Sequence, residues 1–291
     1  MLSTILKKRN LKMKRILKEK QTLKEKQILE EKQILEEKQI LEEKQILEEK
    51  IILEEKIILE EKQILEFNLK YSNPEQLIIK NKLFDLHKNL KLDFGSFLDE
   101  FPEQIMVVRY LKGDEKVLEI GGNIGRNSLI ISSILNKNNN NNFVSLECDF
   151  NISNQLKHNK EHNNLNFYIE NSALSKRKLI QKGWDTIPSE KVLEGYKPVN
   201  IISVEELNNK YNISFDTLVL DCEGAFYYIL IDMPEILNNI NLIVMENDYW
   251  EIEKYNYVNN KLKENNFIVD YSEKGGWGPC EDNFFEVWKK I

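Results

Sequence analysis

The sequence is poor in cysteine and has no long apolar run. Its three cysteines, Cys148, Cys222 and Cys280, lie far apart and form no C-x-x-C pair, so neither a disulfide framework nor a thiolate zinc site is expected. No run approaches the ~18 apolar residues that a membrane helix needs, and the N-terminus lacks the apolar core of a signal peptide. We therefore expect no transmembrane segment and a reducing compartment, the cytoplasm.

Basic residues are also in deficit. The 291 residues include 41 Lys and Arg against 48 Asp and Glu, which gives a net charge of −7. Residues 67–291 alone hold 25 basic and 33 acidic side chains, a net of −8. Because binding to nucleic acid depends on neutralising phosphates with Lys and Arg, we expect no nucleic-acid partner.

Residues 1–66 are of low complexity. Leucine recurs every six positions from Leu11 to Leu65, and from Lys26 the repeating unit is Lys-Gln-Ile-Leu-Glu-Glu. The unit contains helix formers and neither Gly nor Pro, so residues 1–70 are predicted to form one long helix. Successive Ile-Leu pairs are rotated by about 120° and give no continuous coiled-coil seam. We expect a mostly solvated helix, either a repeat expansion with little function or a spacer that supports self-association.

A break at Pro74 separates this repeat from the rest of the chain. Residues 71–112 are predicted to be a helical cover, with helices near 75–90 and 103–111. From 113 to 291 apolar runs alternate with helical segments, which predicts a mostly parallel sheet with helices on both faces. The strands are expected near 116–120, 143–147, 165–170, 215–221, 240–246, 266–271 and 283–288. No helix separates the last two, so they are expected to form an antiparallel pair at the sheet edge.

A glycine-rich loop follows the first predicted strand. The sequence reads Gly-Gly-Asn-Ile-Gly over 121–125, with Glu119 two residues earlier. Glycines let the backbone turn sharply, and free amides at the start of the next helix can meet a carboxylate or a phosphate. An acid followed by glycines at this spacing is the usual form of the first motif of S-adenosylmethionine-dependent methyltransferases. We therefore predict that Glu119, Gly121, Asn123 and Gly125 contact that cofactor.

Two further cofactor contacts are predicted at strand ends. Glu147 ends the second strand, 22 residues after Gly125, where a carboxylate can accept hydrogen bonds from both ribose hydroxyls. Ser172 and Ala173 follow the third strand, where they either hold the adenine edge or form an ordinary turn.

Asp221-Cys222-Glu223-Gly224 follows the fourth strand. Ligands of open α/β sheets bind where the strand order reverses, a point flanked here by the first and fourth strands. Asp221 is therefore expected to contact the cofactor and to be the first candidate for the catalytic base, with Glu223 the second. Alternatively, both acids hold Mg²⁺ with Glu246 or Asp248, or the strand-end acid caps the next helix.

The three histidines carry no predicted role. His158 and His162 share a helix face at i,i+4, but no third metal ligand is apparent in the sequence, so both are interpreted as solvated helix residues. His87 lies in the helical cover. No residue is assigned to a metal.

Six motifs of this chain resemble the FkbM family of methyltransferases, in the family's order and spacing over roughly residues 100–290. They are Leu111–Asp114, Glu119–Gly125, Glu147, Ala173–Ser175, Ser203–Leu207 and Leu220–Ala225. The resemblance implies a Rossmann-like, seven-stranded class I methyltransferase sheet, S-adenosylmethionine as cofactor, and methylation of hydroxyls on sugars and other small molecules. Val219 stands where the family often has Lys. Phe226 stands where it often has a second Glu, which removes a charge near the acceptor side.

The leading hypothesis is thus an S-adenosylmethionine-dependent O-methyltransferase that acts on a sugar or another small-molecule hydroxyl. The alternative is a non-catalytic, methyltransferase-shaped interaction protein on a helical arm. A nicotinamide-dependent oxidoreductase fits poorly, because its fingerprint is G-x-G-x-x-G. Residues 176–200 and 272–282 are expected to form the acceptor pocket.

Overall fold

The computed structural model describes the backbone of residues 2–291 and, within the first helix, the side chains continuously from Lys38 onward. The chain divides into two compact units, and the division along the sequence falls between Asn68 and Leu69. Helix α1 spans Leu2–Lys70. Its side chains from Lys38 to Leu59 are all exposed, which confirms a solvated helix over that stretch.

The structure does not test the packing of the remaining side chains of the repeat or its role. The side chains of Leu11 and Leu29 lie outside the described residues, and self-association through the arm stays the alternative to a repeat expansion with little function. Among residues 2–291, no helix is long and apolar enough to cross a membrane.

The second unit alternates strands and helices. Its helices are α2 (Pro74–His87), α3 (Phe101–Tyr110), α4 (Arg126–Asn136), α5 (Phe150–His162), α6 (Val204–Tyr211), α7 (Ala225–Asp232) and α8 (Ile252–Glu264). Its strands are β1 (Val117–Ile120), β2 (Phe143–Leu146), β3 (Tyr168–Glu170), β4 (Ala173–Leu174), β5 (Leu179–Lys182), β6 (Asp185–Pro188), β7 (Lys197–Val199), β8 (Ile201–Ile202), β9 (Thr217–Leu220), β10 (Leu242–Glu246), β11 (Phe267–Glu273) and β12 (Phe285–Lys290).

Seven of these strands form the main sheet, in the order β3-β2-β1-β9-β10-β12-β11. Strand β1 pairs in parallel with β2 on one side and with β9 on the other. Strand β12 is antiparallel to both β10 and β11. The predicted α/β fold is therefore confirmed, with all seven predicted strands in the sheet and the antiparallel pair at its edge. The strand order reverses beside β1, between β2 and β9.

Successive side chains of each strand point to opposite faces of the sheet, and helices pack on both faces. Leu118 and Ile120 belong to one apolar cluster together with residues of α7 and α8, including Ile229 and Val258. Glu119 points to the other side, where its carboxylate meets Ser128 of α4. The helices therefore cover both faces, as the alternating pattern predicts.

The predicted cover forms helices α2 and α3. The side chain of Asn73 caps α2 by accepting a hydrogen bond from the amide of Gln76 at 2.9 Å, and Pro74 fits the first helical position. Helix α3 begins at Phe101, two residues before the predicted start, since Pro102 is also suited to a first turn. The division of the chain at residues 70 and 112 stays a prediction.

The segment between Ala173 and Ile202 contains strands that the sequence did not predict. Strand β5 pairs antiparallel with β6 and β7, and β4 pairs in parallel with β8. Their burial is slight, because most of their residues are exposed or only partly buried. Such short polar strands lack the apolar run that identifies a core strand.

Candidate cofactor cavity

A cavity of about 900 Å³ opens at the carboxyl ends of β1, β2 and β9. That is within the usual range of small-molecule and cofactor sites, about 300–1,000 Å³. The predicted residues that line it are Gly121, Asn123, Glu147, Ser172, Ala173, Asp221 and Glu223. Two predicted cofactor residues, Glu119 and Gly125, do not line it.

Gly121 lies against the turn that follows β9. Its φ is +94°, and a Cβ placed there would lie 1.5 Å from the carbonyl oxygen of Asp221. Only glycine adopts that conformation without strain and leaves room for the backbone of Asp221. The residue thus allows the loop after β1 to lie against the turn after β9.

The backbone amides of the loop are already hydrogen-bonded, which corrects the prediction that they are free for a ligand. Gly121 and Gly122 both donate to the carbonyl of Leu146, at 3.0 and 2.8 Å. The amide of Asn123 donates to Glu147 at 2.9 Å, and that of Gly125 donates to Gly122 at 2.9 Å. The loop is tied to the end of β2, so its amides shape the cavity rather than bind within it.

The start of helix α4 is likewise occupied. The carboxylate of Glu100 accepts hydrogen bonds from the backbone of Asn127 and from the guanidinium of Arg126, the latter at 2.8 Å. Arg126 also pairs with Asp99 at 3.1 Å and donates to the carbonyl of Ser96. A carboxylate from the protein therefore takes the position that the sequence assigned to an anionic ligand group.

Glu147 presents a fixed carboxylate to the cavity. One oxygen accepts from the amide of Asn123 at 2.9 Å and the other from the amide of Asp149 at 2.8 Å. Burial raises the pKa of Glu147, and these two amide bonds partly offset the effect. Because a carboxylate offers about four lone-pair positions, both oxygens can still accept a hydrogen bond from a ligand hydroxyl.

Glu119 lies behind the loop. Its side chain is buried and accepts hydrogen bonds from the hydroxyls of Ser128 and Ser145. Burial raises its pKa from 4.5 to about 7, although both serine bonds act in the opposite direction. The carboxyl group therefore supports the packing of β1, β2 and α4. It does not face the cavity, contrary to the prediction that Glu119 contacts the cofactor.

Asp221 belongs to a cluster of acidic side chains. Carboxylate oxygens of Asp221, Glu246 and Asp248 lie within 4.8 Å of one another. Burial, followed by the charge of Glu246, raises the pKa of Asp221 well above its usual value. Burial and the charge of Glu223 raise the pKa of Asp248 to about 7. These carboxyl groups therefore hold protons under conditions in which exposed acids are ionised.

Asp248, two residues after the end of β10, supports the turn that carries Asp221. The amide of Gly224 donates to Asp248 at 2.7 Å, while the second carboxylate oxygen of Asp248 is buried without a partner among the described residues. Glu223 has a φ of +52° and an exposed side chain. Asp248 was one of two alternatives for a metal ligand in the sequence interpretation, and its support of the turn was not foreseen.

The two departures from the FkbM pattern are both in the core. Val219 and Phe226 are 3% and 1% exposed. Phe226 packs in the apolar cluster between the sheet and its helices and does not line the cavity, contrary to the expectation of a position near the acceptor. Because α7 begins only at Ala225, its second residue points inward toward the sheet.

The adenine-side prediction rests on the turn after β3. The hydroxyl of Ser172 donates to Glu170 at 3.0 Å, and the amide of Ala173 donates to the carbonyl of Asn200 at 2.8 Å. The side-chain amide of Asn171 donates to the carbonyl of Glu147 at 2.8 Å. Ser172 and Ala173 thus line the cavity while their hydrogen bonds also order the turn.

Tryptophans form the outer wall of the cavity. Trp250 and Trp277 have ring centroids 4.1 Å apart, and Trp184 lies at the tip of the β5–β6 hairpin. The side chains of Trp184 and Trp250 are 64% and 76% exposed. Exposed tryptophans at a cavity mouth are uncommon unless they meet a ligand or a partner.

Comparisons with known proteins add only distant similarity. No model of a known protein family matches the sequence, and no curated protein matches it. The structure is similar to an O-methyltransferase from Bacillus cereus in complex with SAH, with 13% identity, a TM-score of 0.41, and coverage of 77% of this chain and 96% of that one.

Two other solved structures resemble it to the same degree. A ribosomal protein L11 methylase from Lactobacillus delbrueckii subsp. bulgaricus has 13% identity and a TM-score of 0.41, over 68% of this chain and 81% of its own. A protein of the NADB-Rossmann superfamily from Streptococcus agalactiae has 12% identity and a TM-score of 0.41, over 65% and 67%. Likenesses this distant assign neither an activity nor a ligand to the chain.

Proposed function

We propose that this protein is an S-adenosylmethionine-dependent methyltransferase that methylates a hydroxyl of a sugar or another small molecule, as its FkbM-like motifs suggest. The main support is that Gly121, Glu147 and Asp221 line one cavity at the point where the strand order reverses. These residues come from three separate strand ends, so their convergence is not a consequence of local sequence.

The residues of the cavity fit this cofactor in two respects. Glu147 has both oxygens fixed by backbone amides, which suits the recognition of two vicinal ribose hydroxyls. The carboxyl groups of Asp221, Glu223 and Glu147 line the cavity, where a positively charged ligand would favour their ionised forms. The loop amides are already hydrogen-bonded, and the carboxylate of Glu100 occupies the start of α4. The carboxylate of the cofactor would therefore be held by other groups.

When bound, S-adenosylmethionine supplies a methyl group on a positively charged sulfur. The protein's contribution is to align an acceptor oxygen with that methyl group, an effect that can be worth several kcal/mol. Asp221 is the proposed base, because its raised pKa makes its ionised form a stronger proton acceptor than an ordinary carboxylate. Glu223, exposed on the same turn, is the second candidate.

The acceptor is proposed to enter between the β5–β6 hairpin and the segment that carries Trp277. Residues Gln181, Trp184 and Thr186 line that side of the cavity together with Trp250 and Trp277. Aromatic faces offer a large, rigid apolar area, which suits the apolar C–H face of a sugar ring. Gln181, Trp184 and Thr186 belong to residues 176–200 and Trp277 belongs to residues 272–282, the two segments that are expected to form the acceptor pocket.

Mg²⁺ remains a secondary proposal. The oxygens of Asp221, Glu246 and Asp248 are close enough to share a cation, and all-oxygen ligation suits that ion. If Mg²⁺ is needed, turnover will stop on chelation and return with added Mg²⁺. Unchanged turnover in chelator would leave Asp221 as a base without a metal.

Isothermal titration calorimetry with S-adenosylmethionine tests the proposal. We expect Glu147→Gln to weaken binding about 10- to 150-fold, because a hydrogen bond to a charged group is worth roughly 1.5–3 kcal/mol. Glu264→Gln is the matched control, since Glu264 is exposed on α8 and pairs only with Lys261 in the described contacts. Equal affinities for the two variants would contradict the assignment of Glu147.

Turnover distinguishes the enzyme from the rival interpretation. The enzyme hypothesis predicts release of S-adenosylhomocysteine with a hydroxyl-bearing acceptor and its loss in Asp221→Asn. No binding heat with the wild-type chain at millimolar cofactor would instead favour a non-catalytic interaction protein.

A further inference from the structure

Asp93 lies beside His158 and His162, the two histidines for which the sequence shows no third metal ligand. One carboxylate oxygen of Asp93 lies 2.6 Å from Nε2 of His158 and 2.7 Å from Nδ1 of His162. One ligand atom from each residue lies within 4.8 Å of the others. Two imidazoles and one carboxylate therefore converge on one point at the surface, outside the cofactor cavity.

The local structure explains this convergence. Positions 158 and 162 are one turn apart on α5, so their rings project from the same face. Asp93 lies on the loop between α2 and the turn that begins at Ser96. Asn159 of α5 and Asn163, which caps its C-terminus, hold this loop in place. The amide of Asp93 donates to Asn159 at 3.0 Å, and that of Lys91 donates to Asn163 at 2.7 Å.

The arrangement has the chemistry of a transition-metal site. A neutral imidazole nitrogen and a carboxylate oxygen are both lone-pair donors, and lone pairs that face one another require a proton or a cation between them. Imidazole ligands select zinc, copper, iron or nickel over Mg²⁺ and Ca²⁺. The side chains are 58%, 38% and 35% exposed for His158, His162 and Asp93, so an ion can enter and keep water in its remaining position.

We propose that Asp93, His158 and His162 bind one divalent transition-metal ion of the zinc class. The ion would fasten the loop after α2 to α5. The same helix holds the glycine loop, because the side-chain amide of Asn159 donates to the carbonyl of Ile124 at 2.8 Å. The site is thus a structural staple next to the cofactor loop, and it does not depend on the function proposed for the cavity.

The test is titration of the untagged, full-length chain with Zn²⁺, followed by calorimetry and by thermal unfolding. We expect one ion per chain and a rise in melting temperature with Zn²⁺, because a ligand that binds only the folded state stabilises it. His162→Ala and Asp93→Asn should each weaken binding at least about 100-fold, more than the roughly 10- to 100-fold typical of outer-shell partners. Asp85→Asn is the matched control, an exposed acid of α2 that pairs with Lys88.

Two further measurements keep the proposal open to refutation. Melting temperatures in chelator should be equal for wild type, His162→Ala and Asp85→Asn, which establishes that the variants fold. Co²⁺ should bind at the same stoichiometry and give visible bands without the charge-transfer absorption of a thiolate, since no cysteine belongs to the site.

The proposal is overturned by absence of Zn²⁺ binding to the wild-type chain. It is also overturned if the double variant His158→Ala/His162→Ala binds Zn²⁺ as tightly as the wild type, or if the Co²⁺ spectrum reports a thiolate. Loss of cofactor binding, in contrast, would refute the proposed function and leave the metal site untouched.

Discussion

Glu119→Gln is the most informative single change in this protein, because it separates a structural role of that carboxyl group from a role in cofactor binding. The side chain is buried and hydrogen-bonded to Ser128 and Ser145. Burial raises its pKa from 4.5 to about 7. Glutamine keeps the shape and an acceptor oxygen for the two hydroxyls but cannot ionise.

The magnitude follows from proton linkage. Between the unfolded pKa and the folded pKa, the folded wild-type protein binds a proton that the unfolded chain has released, so its stability falls as the pH rises through this window. The stabilisation is fully present below pH 4.5 and is lost by about pH 7. From pH 5 to pH 8 the loss amounts to about 2–3 kcal/mol, at roughly 1.4 kcal/mol per pKa unit. The glutamine variant lacks this loss.

The assay is urea unfolding of both proteins at pH 5 and pH 8, followed by circular dichroism. We expect the stability of Glu119→Gln relative to wild type to increase by about 2–3 kcal/mol between the two pH values. Any constant cost of the amide cancels in that difference. A difference that does not change with pH would refute the raised pKa, and a large loss of cofactor affinity in the variant would return Glu119 to the cofactor contacts predicted from sequence.

Three further predictions concern the core and the arm. Phe226→Ala should lower the free energy of unfolding by about 3–5 kcal/mol, because a fully buried aromatic ring leaves a cavity; urea unfolding measures it, and a loss below about 1 kcal/mol would place the ring outside the core. Asn159→Ala should cost about 1–3 kcal/mol in the same assay, since it leaves the carbonyl of Ile124 without its side-chain donor, whereas Asn154→Ala, at an exposed position of the same helix, should cost less. Removal of residues 1–66 should leave the oligomeric state, measured by analytical ultracentrifugation, unchanged, because the hexad repeat has no continuous apolar seam. A smaller number of subunits after truncation would establish the arm as a self-association element.

The main sheet could be predicted from the sequence because its information is local. Each of the five parallel strands β1, β2, β3, β9 and β10 is a short, mostly apolar run followed by a glycine, an acid or an asparagine. Such a run can be recognised without knowledge of its neighbours in the sheet. The pairing of β1 with β9 follows from the rules of open α/β sheets. The small strands from β4 to β8 could not be predicted, since they are polar and gain their order from neighbours rather than from a buried face.

The cavity-lining positions could be predicted better than their bonding. A motif indicates which residues lie at a strand end, and Gly121, Glu147 and Asp221 do meet there. It does not indicate which amides are already used, so the bonds from Gly121 and Gly122 to Leu146 were not foreseen. The inward side of Phe226 depends on where α7 begins, and helix starts are among the least predictable features of a sequence.

Asp93 illustrates the same limit for a surface site. It lies 65 positions before His158 in the chain, and its loop has no motif that links it to α5. The two asparagines that hold the loop, one in α5 and one at its C-cap, belong to no recognisable motif in the sequence. Only the folded chain brings the three side chains together.

The clustered acids beside Asp221 also have a thermodynamic consequence for any cationic guest. A positive charge that enters the cavity lowers the pKa of Asp248, which is about 7 in its absence, and thereby displaces protons into the solvent. Occupancy would then be an exchange of one kind of cation for another. The apparent affinity for such a guest should climb with pH, and the heat of binding should change with the ionisation enthalpy of the buffer.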